Sequence, residues 1–223
     1  MKITVVAATN LEIEPVREYL TERLYLKSHH SINCLITGIG LMNTTFALTR
    51  HVYKEMPELV IQAGLGGSFS PLFPPGTVVA VKDDVVADLG VMENDEWKDH
   101  FDLHLSNPDQ VPNTKKKLVN SHYTLLDKSG LCQVSAVSVN EITTSQKRLE
   151  TYIAKYSPVI ESMEGAAVHK VCLEEGIPFI QLRAVSNLVG VRDKSQWKIA
   201  QAVKALNEQV ILLINKIAEH QPI

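Results

Sequence analysis

The sequence has few cysteines, no long apolar run and no large excess of one charge. Its three cysteines, Cys34, Cys132 and Cys172, are far apart and lie in apolar stretches. That arrangement predicts reduced, buried thiols in a cytoplasmic protein and gives no sign of a disulfide framework. No apolar run is long enough to cross a membrane, and the first residues lack the apolar core and cleavage site of a signal peptide, so we expect neither feature.

Charge is nearly balanced, which excludes two classes of partner. Lysine and arginine total 22, aspartate and glutamate total 25, and the net charge of −3 is spread along the chain. We therefore expect neither nucleic-acid binding nor a polybasic membrane anchor, and a small molecule is the expected partner. A chain of 223 residues that is 45% hydrophobic can bury a sizeable core, so we predict a single domain covering residues 1–223.

Strand-like and helix-like segments alternate at both ends of the chain. Apolar strand-like runs occur at 2–8, 31–37, 59–63, 77–81, 85–89 and 130–139. Helical patterns occur at 11–22, 40–56, 143–156 and from 193 or 195 onward. This order predicts a three-layer α/β/α sandwich around a mostly parallel sheet. In the last helix, apolar residues spaced by four and three from Ile199 to Ile217 predict core packing.

Two polar residues mark the stretch 159–187, which reads as a short strand, a helix and a second strand. Glu164 lies where the first strand gives way to the helix, and Asn187 ends the second strand. If the two strands are parallel, both side chains emerge at one edge of the sheet, where open α/β folds bind ligands. Each residue alone has a structural explanation, because acids favour a first helical turn and asparagine favours turns. Their pairing is what indicates a site.

Two further segments follow strands in the same way. Glu12 and Glu14 come after the first strand, and at least one of them should face the same edge as Glu164, although a first-turn acid is also favoured by the helix dipole. Residues 64–68, Gly-Leu-Gly-Gly-Ser, follow the third strand. We predict that they form a flexible loop that lets a ligand approach the backbone.

The segment 90–121 is polar and aperiodic, which predicts either a lid or a subunit contact. His100 and His104 within it are four residues apart and could share a helical face. A zinc site needs a third ligand and a suitable context, which the sequence does not offer. We therefore predict neither a metal site nor a cofactor.

The motif Ser-Met-Glu-Gly-Ala-Ala at 162–167, with Arg-Ala-Val-Ser-Asn at 183–187, resembles the signatures of the nucleoside phosphorylase and nucleosidase superfamily. The resemblance covers essentially the whole chain and implies a phosphorylase/hydrolase-like fold with a large mixed sheet. Asn187 stands where the superfamily signature has aspartate. This asparagine and the continuation Leu-Val-Gly-Val-Arg-Asp at 188–193 make the motif most similar to that of the futalosine hydrolase family of menaquinone biosynthesis.

The resemblance also implies roles for individual residues. Glu12, which fits the register better than Glu14, would hold and activate the attacking water with help from Arg183. Glu164 would accept hydrogen bonds from the ribose hydroxyls while Met163 packs on the sugar. The other implied substrate-binding residues are Ser186, the glycines Gly64, Gly66 and Gly67 near the ribose, and Val139 and Asn140 at the purine pocket.

Asn187 bears on the substrate because its amide cannot protonate N7 of a purine as an aspartic acid can. It can donate to N7 or O6, which suits a 6-oxopurine such as hypoxanthine and leaves adenine worse paired. Segments 9–14 and 62–68 contain no arginine for a bound phosphate, which favours hydrolysis over phosphorolysis, although the glycines could hold a weakly bound anion.

The predicted function is a purine nucleosidase that hydrolyses futalosine and releases hypoxanthine. The alternatives within the enzyme class are a methylthioadenosine/adenosylhomocysteine nucleosidase and a purine nucleoside phosphorylase. A non-catalytic nucleoside-binding module is a third possibility, but binding alone needs no water-activating carboxylate. The resemblance further implies a homodimer or higher homo-oligomer, in which a neighbour completes the pocket for the 5′ substituent.

Overall fold

The computed structural model describes residues 1–22 and 30–219. The strands are β1 (Lys2–Ala7), β2 (Ser31–Ile36), β3 (Leu59–Ser68), β4 (Val78–Asp84), β5 (Gly90–Glu93), β6 (Glu96–Asp99), β7 (Asn113–Thr114), β8 (Lys117–Val119), β9 (Gln133–Ser138), β10 (Ile160–Ser162) and β11 (Phe179–Leu188). The helices are α1 (Asn10–Glu22), α2 (Leu41–Glu55), α3 (Tyr123–Ser129), α4 (Gln146–Tyr156), α5 (Gly165–Glu174) and α6 (Ile199–Ala218). A 3-10 turn at Lys194–Gln196 precedes α6. These elements confirm the predicted α/β class.

Nine strands of the described residues form one mixed sheet, and five of them close into a ring. β3 pairs with β10, β10 with β9, β9 with β4, β4 with β11, and β11 with β3 again. β1 and β2 extend the sheet from β3, and β8 and β7 extend it from β4. The ring contains both parallel and antiparallel pairings, so the predicted mixed sheet is confirmed.

Helices cover the sheet on both faces, which gives the predicted three layers. Successive side chains of β1 point to opposite faces, as the pleat of a strand requires. Ile3 and Val5 pack with residues of α1 and α6, whereas Val6 packs with residues of α2 and α5. Because both faces are covered, β1 reads as a nearly continuous apolar run.

The apolar stripe of α6 is confirmed along most of the helix, because Val203, Leu206, Val210, Leu213 and Ile217 are all buried. Ile199, the first residue of the stripe, is instead partly exposed and lines a cavity. No helix among the described residues is both long and apolar enough to cross a membrane. Of the cysteines, Cys172 is buried and Cys34 is half-buried, whereas Cys132 is exposed, so the prediction of a buried thiol is wrong for Cys132.

The glycine-rich segment 64–68 is not a loop, because β3 continues through it to Ser68. The predicted strand at 85–89 is also wrong: these residues form turns with one isolated bridge from Val86 to Ser138. The helix predicted at 143–156 begins only at Gln146. In segment 64–68 the glycines allow neighbouring strands and side chains to approach closely. The sequence alone does not distinguish a glycine needed for close packing from one in a flexible loop.

The strands that flank α5 are not parallel. β10 is antiparallel to β3, whereas β11 is parallel to it. A shared strand direction therefore does not bring Glu164 and Asn187 to one edge, and that part of the prediction is wrong. The two residues are close because β10 and β11 both pair with the second half of β3, where Gly67 lies opposite Glu161 on one side and Asn187 on the other.

Strand pairing and ion pairs hold the segment 90–121 in its structure. It contains the hairpin β5–β6, and its strands β7 and β8 join the main sheet. Lys155 of α4 and Lys116 both form ion pairs with Asp99 and Asp102. The residues around His100 and His104 form turns, so the prediction that these two histidines could share a helical face is wrong. No group of three or more potential metal ligands occurs among residues 1–22 and 30–219.

Candidate active site

A cavity of about 320 Å³ opens beside the C-terminal parts of β1, β3, β10 and β11. The sequence-predicted site residues that line it are Glu12, Gly66, Gly67, Met163, Glu164, Ser186 and Asn187. Gly64 and Arg183 lie directly behind this wall and contact residues that form it. The ring of five strands thus assembles side chains that are far apart in the sequence.

Glu12 lies in the first turn of α1, and both of its carboxylate oxygens accept hydrogen bonds. Oε2 accepts from the backbone N–H of Thr9 at 2.9 Å and from its hydroxyl at 3.1 Å, an arrangement that closes the N-terminus of a helix. Oε1 accepts from the backbone N–H of Leu65 on β3 at 3.1 Å. A carboxylate has about four acceptor positions, so one position on Oε1 remains for a ligand. Glu14, by contrast, is exposed and pairs with Arg17.

Glu164 directly precedes α5, but its side chain does not cap that helix. Oε1 accepts from the backbone N–H of Gly40 at 3.1 Å, and Oε2 lies 3.4 Å from Nη1 of Arg183. A helix-terminus role therefore does not account for this carboxylate. The backbone N–H of Gly40 and the buried guanidinium of Arg183 hold this carboxylate in one orientation at the cavity wall.

Arg183 is 1% exposed and is shared between two elements of the site. In addition to its ion pair with Glu164, Nη1 donates to the backbone oxygen of Leu65 at 3.1 Å. A Cβ atom at Gly64 would collide with the guanidinium, so the glycine makes room for it. Arg183 was expected to help Glu12 to orient the attacking water. Its carboxylate partner in the structure is Glu164, not Glu12.

A buried polar chain behind the cavity fixes Arg183. When the amide nitrogen of Gln181 faces its acceptors, it donates to Nε2 of His169 at 2.8 Å and to Oδ2 of Asp84 at 3.3 Å, and Oε1 accepts from Nε of Arg183 at 3.0 Å. Nδ1 of His169 lies 2.9 Å from the backbone oxygen of Leu118. Burial lowers the pKa of His169 to about 4, so the ring is neutral and donates Nδ1–H to that oxygen.

The carboxyl group of Asp84 belongs to the same chain. It is fully buried and accepts from the hydroxyl of Ser138 at 3.0 Å. Burial raises its pKa to about 7, while the nearby Arg183 acts in the opposite direction. The sequence offered no signal for this network, because its members lie on β4, β9, α5 and β11.

Asn187 follows a bulge in β11 that shifts the pairing register with β3. Its Oδ1 accepts from the hydroxyl of Ser186 at 2.7 Å, and its Nδ2 donates to the backbone oxygen of Leu188 at 2.9 Å. These contacts orient the amide. Because Nδ2 carries two hydrogens, one N–H remains to donate to a ligand in the cavity.

Two of the residues expected at the purine pocket lie elsewhere. Val139 is buried in a cluster with Tyr152, and Asn140 is exposed at the surface. Neither lines the cavity; Ile142 and Thr143 of the same loop do. The expected loop therefore reaches the cavity through residues two to four positions later.

The lining residues that sequence reasoning missed include Glu161, Arg192 and Trp197. Glu161 lies two residues before Met163, and the alternation of a strand places such residues on one face, so it could have been found. The guanidinium of Arg192 lies 5.5 Å from the centre of the Trp197 ring. Both follow β11 in a segment without a periodic pattern, where nothing local distinguishes them from other loop residues.

The sequence-family model described as the phosphorylase superfamily matches residues 2–218. The chain is 30% identical to a futalosine hydrolase of Streptomyces coelicolor over 154 residues, which is 69% of this chain and 63% of that protein. It is 27% identical to a futalosine hydrolase of Thermus thermophilus over 81% of this chain and 80% of that one. It is also 27% identical to a 5′-methylthioadenosine/S-adenosylhomocysteine nucleosidase of a Marinomonas species, over 80% and 77%.

Solved structures share the fold along nearly the whole chain. The native futalosine hydrolase of Helicobacter pylori superposes with a TM-score of 0.80 at 16% identity, covering 96% of this chain and 97% of that one. The 5′-methylthioadenosine/S-adenosylhomocysteine nucleosidase of the same organism, bound to butyl-thio-DADMe-Immucillin-A, gives 0.79 at 16% identity, covering 96% and 98%. At 16% identity this likeness establishes the fold, and the substrate has to be inferred from the residues of the site.

Proposed function

The chain belongs to the phosphorylase superfamily, and from this premise we propose that it is a purine nucleosidase that hydrolyses futalosine to hypoxanthine and dehypoxanthine futalosine. The observation that carries the proposal is one cavity faced by the carboxylates of Glu12 and Glu164 and by the amide of Asn187. Two relatives that are 27 to 30% identical are futalosine hydrolases. Relatives named methylthioadenosine nucleosidases make that activity the second candidate.

The two carboxylates have complementary tasks in this reaction. Cleavage of the bond from C1′ to N9 passes through a sugar with positive charge, and Glu164 stabilises that charge through the ribose hydroxyls while Met163 packs on the sugar. Glu12 accepts a proton as the oxygen of water bonds to C1′. The electron pair of the broken bond moves to the purine, which takes a proton from solvent and leaves as the free base, and Glu12 returns its proton to solvent, so that one water is consumed in total.

Asn187 sets the preference among purines in this proposal. The N–H of Nδ2 that Leu188 does not use donates to N7 or O6 of the base. O6 of hypoxanthine accepts that hydrogen bond, whereas the 6-amino group of adenine would face a donor. Ser186 holds the amide oxygen and thereby keeps this orientation.

Hydrolysis rather than phosphorolysis is supported by the polar groups around the sugar. Arg183 already pairs with Glu164, so the charge of this buried arginine is committed to that carboxylate. A bound phosphate usually takes arginines or a dense nest of amides. Water is therefore the proposed nucleophile.

We expect futalosine to be cleaved faster than methylthioadenosine, with free hypoxanthine appearing without phosphate in the buffer. A lost hydrogen bond together with a donor facing a donor costs about 2 to 4 kcal/mol, a preference of roughly tens to several hundredfold in kcat/KM. The measurement is base release from both substrates by chromatography, with and without phosphate. Asn187→Asp is the companion variant, and we expect it to shift the ratio toward adenine.

Equal rates on both nucleosides would refute the role of Asn187. Strict dependence on phosphate would assign the protein to the phosphorylases instead. Binding of both nucleosides without release of either base would favour the binding module.

We further propose a homodimer in which α2 contributes to the contact. Met42, Phe46, Tyr53 and Met56 on or beside α2 are 69 to 83% exposed, a concentration of large apolar side chains that is unusual on a monomer. Ile39, just before α2, is also exposed and lines the cavity. A second copy seated here would cover these side chains and lie at the mouth of the site, where the 5′ substituent would be held.

Phe46→Glu is expected to convert the dimer to a monomer, because it places a charge within the apolar contact. Light scattering coupled to size exclusion measures the change. Leu72→Glu is the control, since Leu72 is 84% exposed in a turn that is not part of α2. A wild-type protein that is monomeric at working concentrations would remove the idea.

The remaining proposals concern organisation and location. Residues 1–223 form one nucleosidase domain, which the family match across 2–218 supports. A cytoplasmic location suits the free cysteines and a nucleoside substrate.

A further inference from the structure

One side-chain amide connects the buried carboxyl group of Asp84 to Arg183. Nε2 of Gln181 donates to Oδ2 of Asp84 at 3.3 Å and to Nε2 of His169 at 2.8 Å. An ionised carboxylate and the unprotonated nitrogen of a neutral imidazole are both acceptors, so both require the nitrogen end of the amide. The oxygen end therefore faces Arg183 and accepts from its Nε at 3.0 Å. The orientation of this amide depends on the state of Asp84.

The same carboxyl group lies directly beneath the start of α5. Oδ1 of Asp84 accepts from the hydroxyl of Ser138 at 3.0 Å, and that hydroxyl oxygen accepts from the backbone N–H of Ala166 at 2.8 Å. A Cβ atom on Gly165, the first residue of α5, would collide with Oδ2 of Asp84. Because Glu164 directly precedes this glycine, Asp84 is packed against the backbone that carries the site carboxylate.

The guanidinium of Arg183 is held by few contacts. Its Nε is held by Gln181, and its Nη1 by Leu65 at 3.1 Å and Glu164 at 3.4 Å. Its Nη2 is buried and makes no hydrogen bond with any described residue. If the amide of Gln181 turned, its N–H groups would face the Nε–H, and the guanidinium would lose one of three anchors. The long contact to Glu164 is the one that it could then shorten.

The charge of Asp84 can change near neutral pH. The charged or titratable groups on the elements around it are His169 of α5, Arg183 of β11 and Glu164 between β10 and α5. Asp83, its neighbour on β4, pairs with Lys117 of β8 instead. Burial raises the pKa of Asp84 to about 7, against the opposing effect of the nearby guanidinium. Its carboxyl group therefore takes up a proton as the pH falls through neutrality, and its O–H can then donate to the amide oxygen of Gln181.

We propose that Asp84 is a positioning residue: its ionised carboxylate fixes Arg183, and thereby Glu164, in the arrangement that turnover needs. This inference rests on the proposed function. When Asp84 is protonated, the amide can turn and the guanidinium moves closer to Glu164. That carboxylate then has less negative charge available for the cationic sugar. Turnover therefore decreases as the pH falls through neutrality, in addition to any effect of protonating Glu12.

The test compares kcat of the wild type and of Asp84→Asn on futalosine as a function of pH. Asparagine can still accept from Ser138, but its Nδ2 cannot accept from Gln181, so the variant resembles the protonated enzyme at every pH. We expect the wild type to be about tenfold faster at about pH 8.5 and only about twofold faster at about pH 6. The ratio removes the titration of groups that both proteins share, such as Glu12.

Asp83→Asn is the matched control, because it removes a nearly buried carboxylate from the same strand but outside the network. Its kcat relative to the wild type should not change with pH. A ratio for Asp84→Asn that is equally independent of pH would mean that Asp84 only stabilises the fold, and would overturn the inference.

Gln181→Leu tests whether Asp84 acts through this amide. The variant removes the connection to Arg183, so its kcat should fall about tenfold, and adding Asp84→Asn should lower kcat no further. Fully additive effects would show that Asp84 acts by another route and would overturn the inference.

A readout without turnover is the side-chain Nε–H signal of Arg183 in ¹⁵N–¹H NMR spectra, identified by its absence from Arg183→Lys. In the wild type it should shift with a midpoint near pH 7, because the hydrogen bond to Gln181 depends on Asp84. In Asp84→Asn the signal should not shift over this range. A wild-type signal that is constant between about pH 6 and pH 8.5 would overturn the inference, and this measurement stands if Asp84→Asn does not fold.

The outcomes separate this inference from the proposed function. If the wild type does not cleave futalosine, the proposed function fails, and the NMR titration still decides whether Asp84 controls the position of Arg183. If futalosine is cleaved with a pH-independent ratio between the wild type and Asp84→Asn, the nucleosidase assignment stands and the role of Asp84 is refuted.

Discussion

Glu164→Gln is expected to lower kcat at least about a hundredfold while the protein remains folded, because it removes the negative charge that faces the cationic sugar in the transition state. Glutamine can keep one hydrogen bond, from the backbone N–H of Gly40 to its amide oxygen. It cannot keep the ion pair with Arg183, since its amide nitrogen is a donor. The effect should therefore appear mainly in kcat, which steady-state rates with futalosine measure.

The same change also weakens the fold, and the two effects must be separated. Arg183 would remain buried with its hydrogen bonds to Leu65 and Gln181 but without its carboxylate, at a cost of roughly 1 to 3 kcal/mol. Thermal unfolding should show a lower midpoint and an unchanged native signal below it. Glu174→Gln on the exposed side of α5 is the control and should change neither quantity. A folded Glu164→Gln protein with near-wild-type turnover would remove Glu164 from the mechanism.

The layers of the fold could be predicted because they follow from local patterns. The apolar run of β1 and the stripe of α6 each require cover on a particular face, and that cover fixes helices on both sides of the sheet. The direction of β10 could not be predicted this way. A helix between two strands usually makes them parallel, but here β10 joins the ring beside β9 and opposes β3.

The site was partly predictable for a related reason. Glu12 and Glu164 come after strands and Asn187 lies near the end of β11, and strand ends converge where this sheet closes into a ring. Residues that reach the cavity through pairing across strands, such as Glu161 beside Gly67, depend on register, which no local pattern encodes. The hydrogen-bonded network from Arg183 through Gln181 to His169 could not be predicted for the same reason, because its members meet only after the sheet has closed.

Residues 64–68 illustrate how composition misleads. Three glycines in five positions predict a flexible loop, yet β3 runs through them. A side chain at each glycine would meet a different neighbour: the guanidinium of Arg183 at Gly64, the backbone of Glu161 at Gly66, and the side chain of Val189 at Gly67. The absence of side chains here reflects close packing around the cavity and not freedom of the backbone.

Glu12→Gln should lower kcat by at least about a hundredfold, because an amide cannot take a proton from water. The binding of hypoxanthine should change little, since the base is placed at Asn187 and not at α1. This split between turnover and base binding distinguishes loss of a base catalyst from a general distortion of the cavity.

A structural role for Glu12 must be tested in the same experiment, since its carboxylate also receives the backbone N–H groups of Thr9 and Leu65. Glutamine can accept only one of these, and the other then faces its amide hydrogens, which costs roughly 1 to 3 kcal/mol of stability. Thr9→Val removes the hydroxyl bond to Glu12 but keeps its carboxylate, so it should reduce stability slightly and leave most of the activity. Glu14→Gln, two residues further along α1 and exposed, should leave both intact. If Glu14→Gln were the damaging change and Glu12→Gln were harmless, the water-activating carboxylate would have to be reassigned to Glu14, and α1 would have to turn to bring it into the cavity.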